Sequence, residues 1–368
     1  MRPQKTSLGF ERGFDLPSYI PELDGLRGIA IIAVVLFHLG APGFSLGWTG
    51  VNLFFVISGF LITGILLDTK DGPHYFRNFY ARRMLRIFPI YYLTLTAIVL
   101  YALKSGESVD DLPYYLFYGQ NYVLSRHGWG ADFPSLFDHT WSLAVEEQFY
   151  LFWPLVVVTL TRRHLIRLLA ALFVVALLTR AFSFFVLKNP VLLYTPLPSQ
   201  FDGLATGAFI ALITRTVEPL TLIRKKARLV FLCSGLGLML LVWRSGLNSY
   251  WTPTAWGTNP ENLILFTLLA LFFGSLLVLA LSGGNTLSNA LRSAELRHIG
   301  EISYGLYLYH YPIFLLMDTW ASRLFPGSQS FVLRIIVALA KLLLTYATAL
   351  ASWHLLETRL KSLKRHFV

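Results

Sequence analysis

The sequence predicts an all-α fold, a polytopic bundle of about ten membrane-spanning helices with both termini cytoplasmic. Three observations carry that prediction. The 368-residue chain is 55% apolar and only 14% charged, with a mean hydropathy of +0.57, too apolar for a soluble domain of this length. Runs of the roughly 20 apolar residues that a span requires recur along it. Its 31 lysines and arginines, which give a net charge of +11, fall overwhelmingly in the segments that such a topology leaves inside. The basic balance therefore reports topology first and anionic lipid or an anionic ligand second, and it gives no reason to expect nucleic acid.

Residues 1–23 read as a cytoplasmic arm, kept extended by Pro17 and Pro21. The arm has no apolar core, so no cleavable signal peptide is expected and the first span serves as the insertion signal. Spans are expected near 26–43, 47–67, 86–103, 141–160, 165–187, 196–214, 229–243, 260–282, 299–318 and 331–355. They form one transmembrane domain over 24–358, followed by a basic cytoplasmic tail, 359–368. Pro89 is expected to kink the third span. The long outside loop, 104–140, carries aromatic and amide groups that suit a sugar face, and suit an interfacial aromatic belt better. Cys233, the lone cysteine, sits in an apolar run and reads as packing. No metal-ligand spacing, nucleotide-binding glycine loop or internal repeat is present.

The stretch from Asp24 to His38 is the one the rest of the chain serves. An acid and a cation enter a mostly apolar run with a histidine deep within it, and ionisable groups so placed are functional candidates. Arg27 and His38 return to nearly the same helix face and lie about 16 Å apart along the axis. One face then grips something charged on one side and does chemistry toward the other. Arg82, Arg83 and Arg86 crowd the start of the third span. Arg83 and Arg86, at i and i+3, share a face that suits a phosphate-bearing ligand, beside the plainer reading as a topological signal.

Glu146 and Glu147 stand side by side inside the fourth span, where carboxylates are expensive. They point about 100° apart, so one is expected to face a cavity and the other to tie helices together. Glu146 lies about 9 Å below the outer end of its span, comparable with the depth expected of His38. The two are therefore expected to form an oriented general base. Asn52, His139 and Asp202, near the outer ends of their spans, are candidate substrate contacts; Ser58 equally suits packing, Asn52 less so, because its amide would be unsatisfied in lipid. His310, alone in the middle of the ninth span, reads as structural.

Five blocks occur in order. They are Glu22-Leu-Asp-Gly-Leu-Arg-Gly-Ile-Ala with a histidine ending the first span, Gly50-Val-Asn-Leu-Phe-Phe-Val-Ile-Ser-Gly-Phe, Arg82-Arg-Met-Leu-Arg-Ile-Phe-Pro, Trp141-Ser-Leu-Ala-Val-Glu-Glu-Gln-Phe-Tyr, and Ile302-Ser-Tyr-Gly-Leu-Tyr-Leu-Tyr-His-Tyr-Pro-Ile. Together they resemble the motifs of the acyltransferase family 3 membrane proteins, from about residue 20 to 358. The resemblance implies a ten-helix O-acyltransferase of the bacterial inner membrane. Such an enzyme moves an acyl group, usually acetyl, from cytoplasmic acetyl-CoA to a hydroxyl of a cell-envelope, exported or lipid-linked saccharide. It implies His38 as the catalytic histidine, Arg27 as an essential partner, and Arg83 and Arg86 as the pair associated with the acyl donor, with no metal. Tyr309 departs from a common tryptophan, and Glu357-Thr-Arg lacks a proline often found after that glutamate. Some members carry a further extracytoplasmic hydrolase-like domain; this chain is expected to end before one and to meet its acceptor directly.

Residues and resemblance converge on one arrangement. The nucleotide end of acyl-CoA is expected on Arg27, Arg82, Arg83 and Arg86, and the thioester near His38. The imidazole either deprotonates the acceptor hydroxyl or carries the acyl group itself, its tautomer set by Glu146 or Glu147. The rivals are a transporter of a glycan or lipid intermediate whose buried ions line the path, and a non-catalytic subunit whose polar groups only join helices. The sequence leaves the acceptor and the oligomeric state open.

Overall fold

Each expected span is a helix in the computed structural model, which describes residues 19–130, 135–215, 220–246, 259–327 and 330–367. Every regular element among the described residues is helical. The first half comprises α1 (Pro21–His38), α2 (Gly50–Thr69), α3 (Tyr75–Ser105), the short α4 (Leu112–Leu116) and α5 (Gln120–His127), α6 (Trp141–Thr159) and α7 (Arg162–Phe185). The second comprises α8 (Phe201–Ile213), α9 (Leu220–Ser245), α10 (Asn262–Leu281), the short α11 (Thr286–Leu291) and α12 (Ala294–Glu301), α13 (Ser303–Leu324), α14 (Phe331–Ser352) and α15 (Thr358–Leu363).

Six helices among the described residues are long and apolar enough to cross a membrane: α2 with its preceding turn, α3, α7, α9, α10 and α14 with the turns that follow it. The other four expected spans fall short for reasons written in their composition. α1 carries Glu22, Asp24 and Arg27, α6 carries Glu146 and Glu147, α13 holds His310 among tyrosines, and α8 has only 13 residues. Helices with such groups must be sheltered from lipid by apolar neighbours.

The packing provides that shelter. α2 is central, with 72% of its apolar window buried, and lies against α8, α1, α10 and α6, whereas α7, α9 and α14 bury 22%, 17% and 22% and face outward. Because lipid supplies no hydrophobic drive between helices, their contact rests on close approach of small residues. Gly207 of α8 lies so close to α2 that a Cβ there would come within 2.0 Å of the Val56 carbonyl oxygen. Cys233 is on the exposed face of α9, not in the packing expected of it.

Both ends of α1 differ from expectation. Pro21 does not keep the arm extended; it opens the helix, at a position where a missing N–H is harmless. Of the expected arm, residues 1–18 lie outside the described residues. At the far end the helix stops at His38: Gly40 turns left-handed at φ +74° and the Ala41 N–H donates to the Leu36 carbonyl, a glycine-terminated cap. The span expected over 26–43 overran this cap. His38 therefore sits at the end of its helix, not deep inside it.

The amides of the 104–140 segment serve neither a sugar face nor a belt. Gln120 and Asn121 are fully buried. Gln120 Nε2 donates to the Thr140 carbonyl (3.0 Å) and Gln148 Nε2 to Asn121 Oδ1 (2.9 Å), which pins α5 to the start of α6.

Candidate active site

Three adjoining cavities run alongside α1. The first is lined by Asp24, Arg27, Arg86 and Tyr304, by Lys361 of α15 and by Lys364 just after it. The second is lined by Arg27, Arg83, Arg86, Ser58, Glu146 and Tyr307. The third is lined by His38, His139, Trp48, Trp129, Trp141 and Tyr311. Arg27, Arg86 and Tyr304 wall both the first and the second, and Val51 and Tyr307 wall both the second and the third. The three cavities thus lie side by side along α1, with cations at one end and imidazoles at the other.

At the cationic end Arg27 pairs with Asp24 one turn earlier (3.3 Å) and the Arg83 guanidinium lies 5.8 Å from the centroid of the Tyr150 ring. Arg83 and Arg86 share the inward face of α3. Arg82, one residue and about 100° away, lines none of the three cavities. The expected basic tail is no loose end: Lys361 and Lys364 return to the first cavity, and Lys361 Nζ lies 3.7 Å from the centroid of the Trp353 ring.

At the imidazole end α1, α13 and the turn before α6 converge. His38 Nδ1 is 3.0 Å from the Val34 carbonyl oxygen and 3.1 Å from His310 Nε2. His139 packs with its ring centroid 5.2 Å from that of His310, and its Nε2 lies 3.2 Å from the Leu308 carbonyl oxygen. The Tyr307 hydroxyl donates to the His139 carbonyl and lies 2.7 Å from the Ser142 hydroxyl.

The expected pairing of His38 with a glutamate is not found. Glu146 lines the second cavity, where Ser58 donates to it, and Glu147 lines none of the three. His38, the last residue of α1, instead shares the third cavity with His139 and Trp141 at the start of α6, whereas Glu146 lines the second. Asn52 also lines none of the three cavities; its Nδ2 donates to Gln200 Oε1 (3.4 Å) and ties α2 to the turn before α8.

Asp202 is likewise a structural group. Its carboxylate accepts from Arg180 of α7 and from the Thr267 hydroxyl of α10 (2.7 Å), with the Arg180 and Asp202 side chains 0% and 1% exposed. Breaking one side of a buried ion pair strands a charge, so Asp202→Asn is expected to cost about 3–5 kcal/mol of stability. Thermal unfolding in detergent measures it, and Arg180→Met with Asp202→Leu should recover most of the loss. A stable Asp202→Asn protein with weakened acceptor use would restore the aspartate to substrate binding.

The acyltransferase domain of acyltransferase family 3 matches residues 20–354. The chain belongs to that family. Family membership agrees with the expectation of an acyl-transferring enzyme. Among similar curated proteins, the peptidoglycan O-acetyltransferase OatA of Listeria monocytogenes is 26% identical over 366 residues, covering 93% of this chain and 56% of the relative. The putative peptidoglycan O-acetyltransferase YrhL of Bacillus subtilis is 29% identical over 94% of this chain and 55% of its own length. The O-acetyltransferase OatA of Staphylococcus aureus is 28% identical over 94% and 58%. The chain thus spans a little over half the length of these relatives. No solved structure matches it.

In this family 3 chain, the cavity row holds Arg27, Arg83, Arg86, His38, His139 and Glu146, all expected from the sequence, and Tyr307, Lys361 and Lys364, which the sequence does not single out. His310, which reads as structural from the sequence, lies behind His38. The spacing of Tyr307 and His310, three residues apart on a span, was the available signal for one shared face.

Proposed function

We propose that this chain is a membrane O-acyltransferase that moves an acyl group, acetyl by preference, from acyl-CoA on the cytoplasmic side of a bacterial inner membrane to a hydroxyl of a cell-envelope saccharide on the other side. The observation that carries the reading is the row of adjoining cavities, cationic at one end and imidazole-bearing among tryptophans at the other. In this reading the chain crosses the membrane ten times, both termini are cytoplasmic, and the polar helices α1, α6 and α13 are enclosed by the apolar ones.

The phosphates of the donor rest on Arg27, Arg83, Arg86, Lys361 and Lys364, and the pantetheine arm follows the second cavity past Tyr307. Glu146 acts there as counter-charge to the arginines. Trp48, Trp129 and Trp141 around His38 offer flat apolar faces of the kind against which a sugar ring packs, which supports a saccharide acceptor. The acceptor oxygen attacks the thioester carbonyl carbon while His38 takes its proton; the C–S bond breaks, and the proton passes from His38 to the departing thiolate.

Purified chain in vesicles, given acetyl-labelled acetyl-CoA inside and a glycan extract outside, tests this. Label is expected on the glycan. Passage of unmodified glycan without label would favour the transporter instead.

A further inference from the structure

We propose that His310 is the positioning residue of His38: it accepts the His38 Nδ1–H and leaves His38 Nε2 as the nitrogen with a free lone pair, presented to the tryptophan-lined cavity. Carbonyl oxygens only accept hydrogen bonds. His310 Nδ1 lies 2.7 Å from the Tyr307 carbonyl oxygen and 3.2 Å from that of Leu306, so Nδ1 carries the proton of the neutral ring and Nε2 its lone pair. That Nε2 is 3.1 Å from His38 Nδ1, which must therefore donate. The second neighbour of the same nitrogen, the Val34 carbonyl at 3.0 Å, also only accepts and requires the same tautomer.

The other ring nitrogen of His38 has no hydrogen-bond partner among the described residues, and the ring lines the third cavity. Val34 and His310 are not equivalent acceptors. The Val34 carbonyl already closes a turn of α1, whereas the His310 lone pair has no other donor and its ring is fully buried, so no water stands in for it. When His38 takes up a proton, His310 is the group that shares the resulting imidazolium N–H. A buried imidazole thus does what a carboxylate does for many catalytic histidines.

The tautomer is independent of the activity; the rate effects rest on the function proposed above. In the full-length chain labelled with ¹⁵N-histidine and placed in nanodiscs, the resonances lost in His38→Ala identify His38. A pyrrole-type Nδ1 and a pyridine-type Nε2 are expected, and a proton on Nε2 would overturn the proposal even if no acceptor were found. In the transfer assay His310→Leu should lower kcat about 10- to 100-fold, the worth of a hydrogen bond to a group that becomes charged, with KM for acyl-CoA unchanged. His310→Gln, whose amide both donates to Tyr307 and accepts from His38, should recover most of the rate. Equal rates in the leucine and glutamine variants, or no loss in either, would reduce His310 to packing.

Discussion

His38→Ala is expected to lower acyl transfer by about 10²- to 10⁴-fold, the range that removal of a positioned general base produces, while leaving the chain folded. Stability is spared because His38 is the last residue of α1 and the turn beyond it is held by backbone groups of Leu36 and Ala41 and by the left-handed Gly40. The KM for acyl-CoA should stay within about twofold. The cations proposed to hold its phosphates sit at the other end of the cavity row, about 16 Å away along the helix. Initial rates with labelled acetyl-CoA, paired with thermal unfolding in detergent, measure both. An undiminished rate in a folded variant would take the imidazole out of the chemistry.

Arg83→Ala combined with Arg86→Ala is expected to reduce kcat/KM for acyl-CoA by about 10²- to 10⁴-fold, because each arginine removed forfeits charge-assisted hydrogen bonds of roughly 1.5–3 kcal/mol. The loss should fall mainly on KM. Arg82→Ala, whose side chain lines none of the three cavities, should change the same ratio no more than about twofold. Arg86→Lys should recover only part of the loss, since an ammonium lacks the fork that grips phosphate oxygens from two positions. Titration with CoA as a competitive inhibitor separates donor binding from acceptor effects. Equal damage from Arg82→Ala would move the anion site off the inward face of α3.

Much of the candidate site was legible because it depends on local spacing. Arg83 and Arg86 share a face by their three-residue separation, and Arg27 and His38 by their eleven-residue one; the structure lines the adjoining cavities with all four. Errors came where an inference needed a helix end. The Gly40-Ala41-Pro42 cap is readable in the sequence and places His38 at the outer end of α1; its neighbours there come only from the packing. Asp202 shows a different limit. Its partner Arg180 lies on the preceding helix, and no sequence rule shows that two residues on consecutive helices will close on one another in the interior.

By itself the sequence determined the class of the protein, the helical identity of every span and the polar groups each one carries. Those are properties of apolar runs, charge placement and periodicity along a chain. The tertiary structure alone decided which ionisable groups meet: His38 with His310, Asp202 with Arg180, and the tail lysines with Arg27 and Arg86 at one cavity. Such meetings depend on where each helix stops and how it is rotated about its axis. A shift of one residue turns a side chain by about 100°, enough to move it from a cavity to lipid.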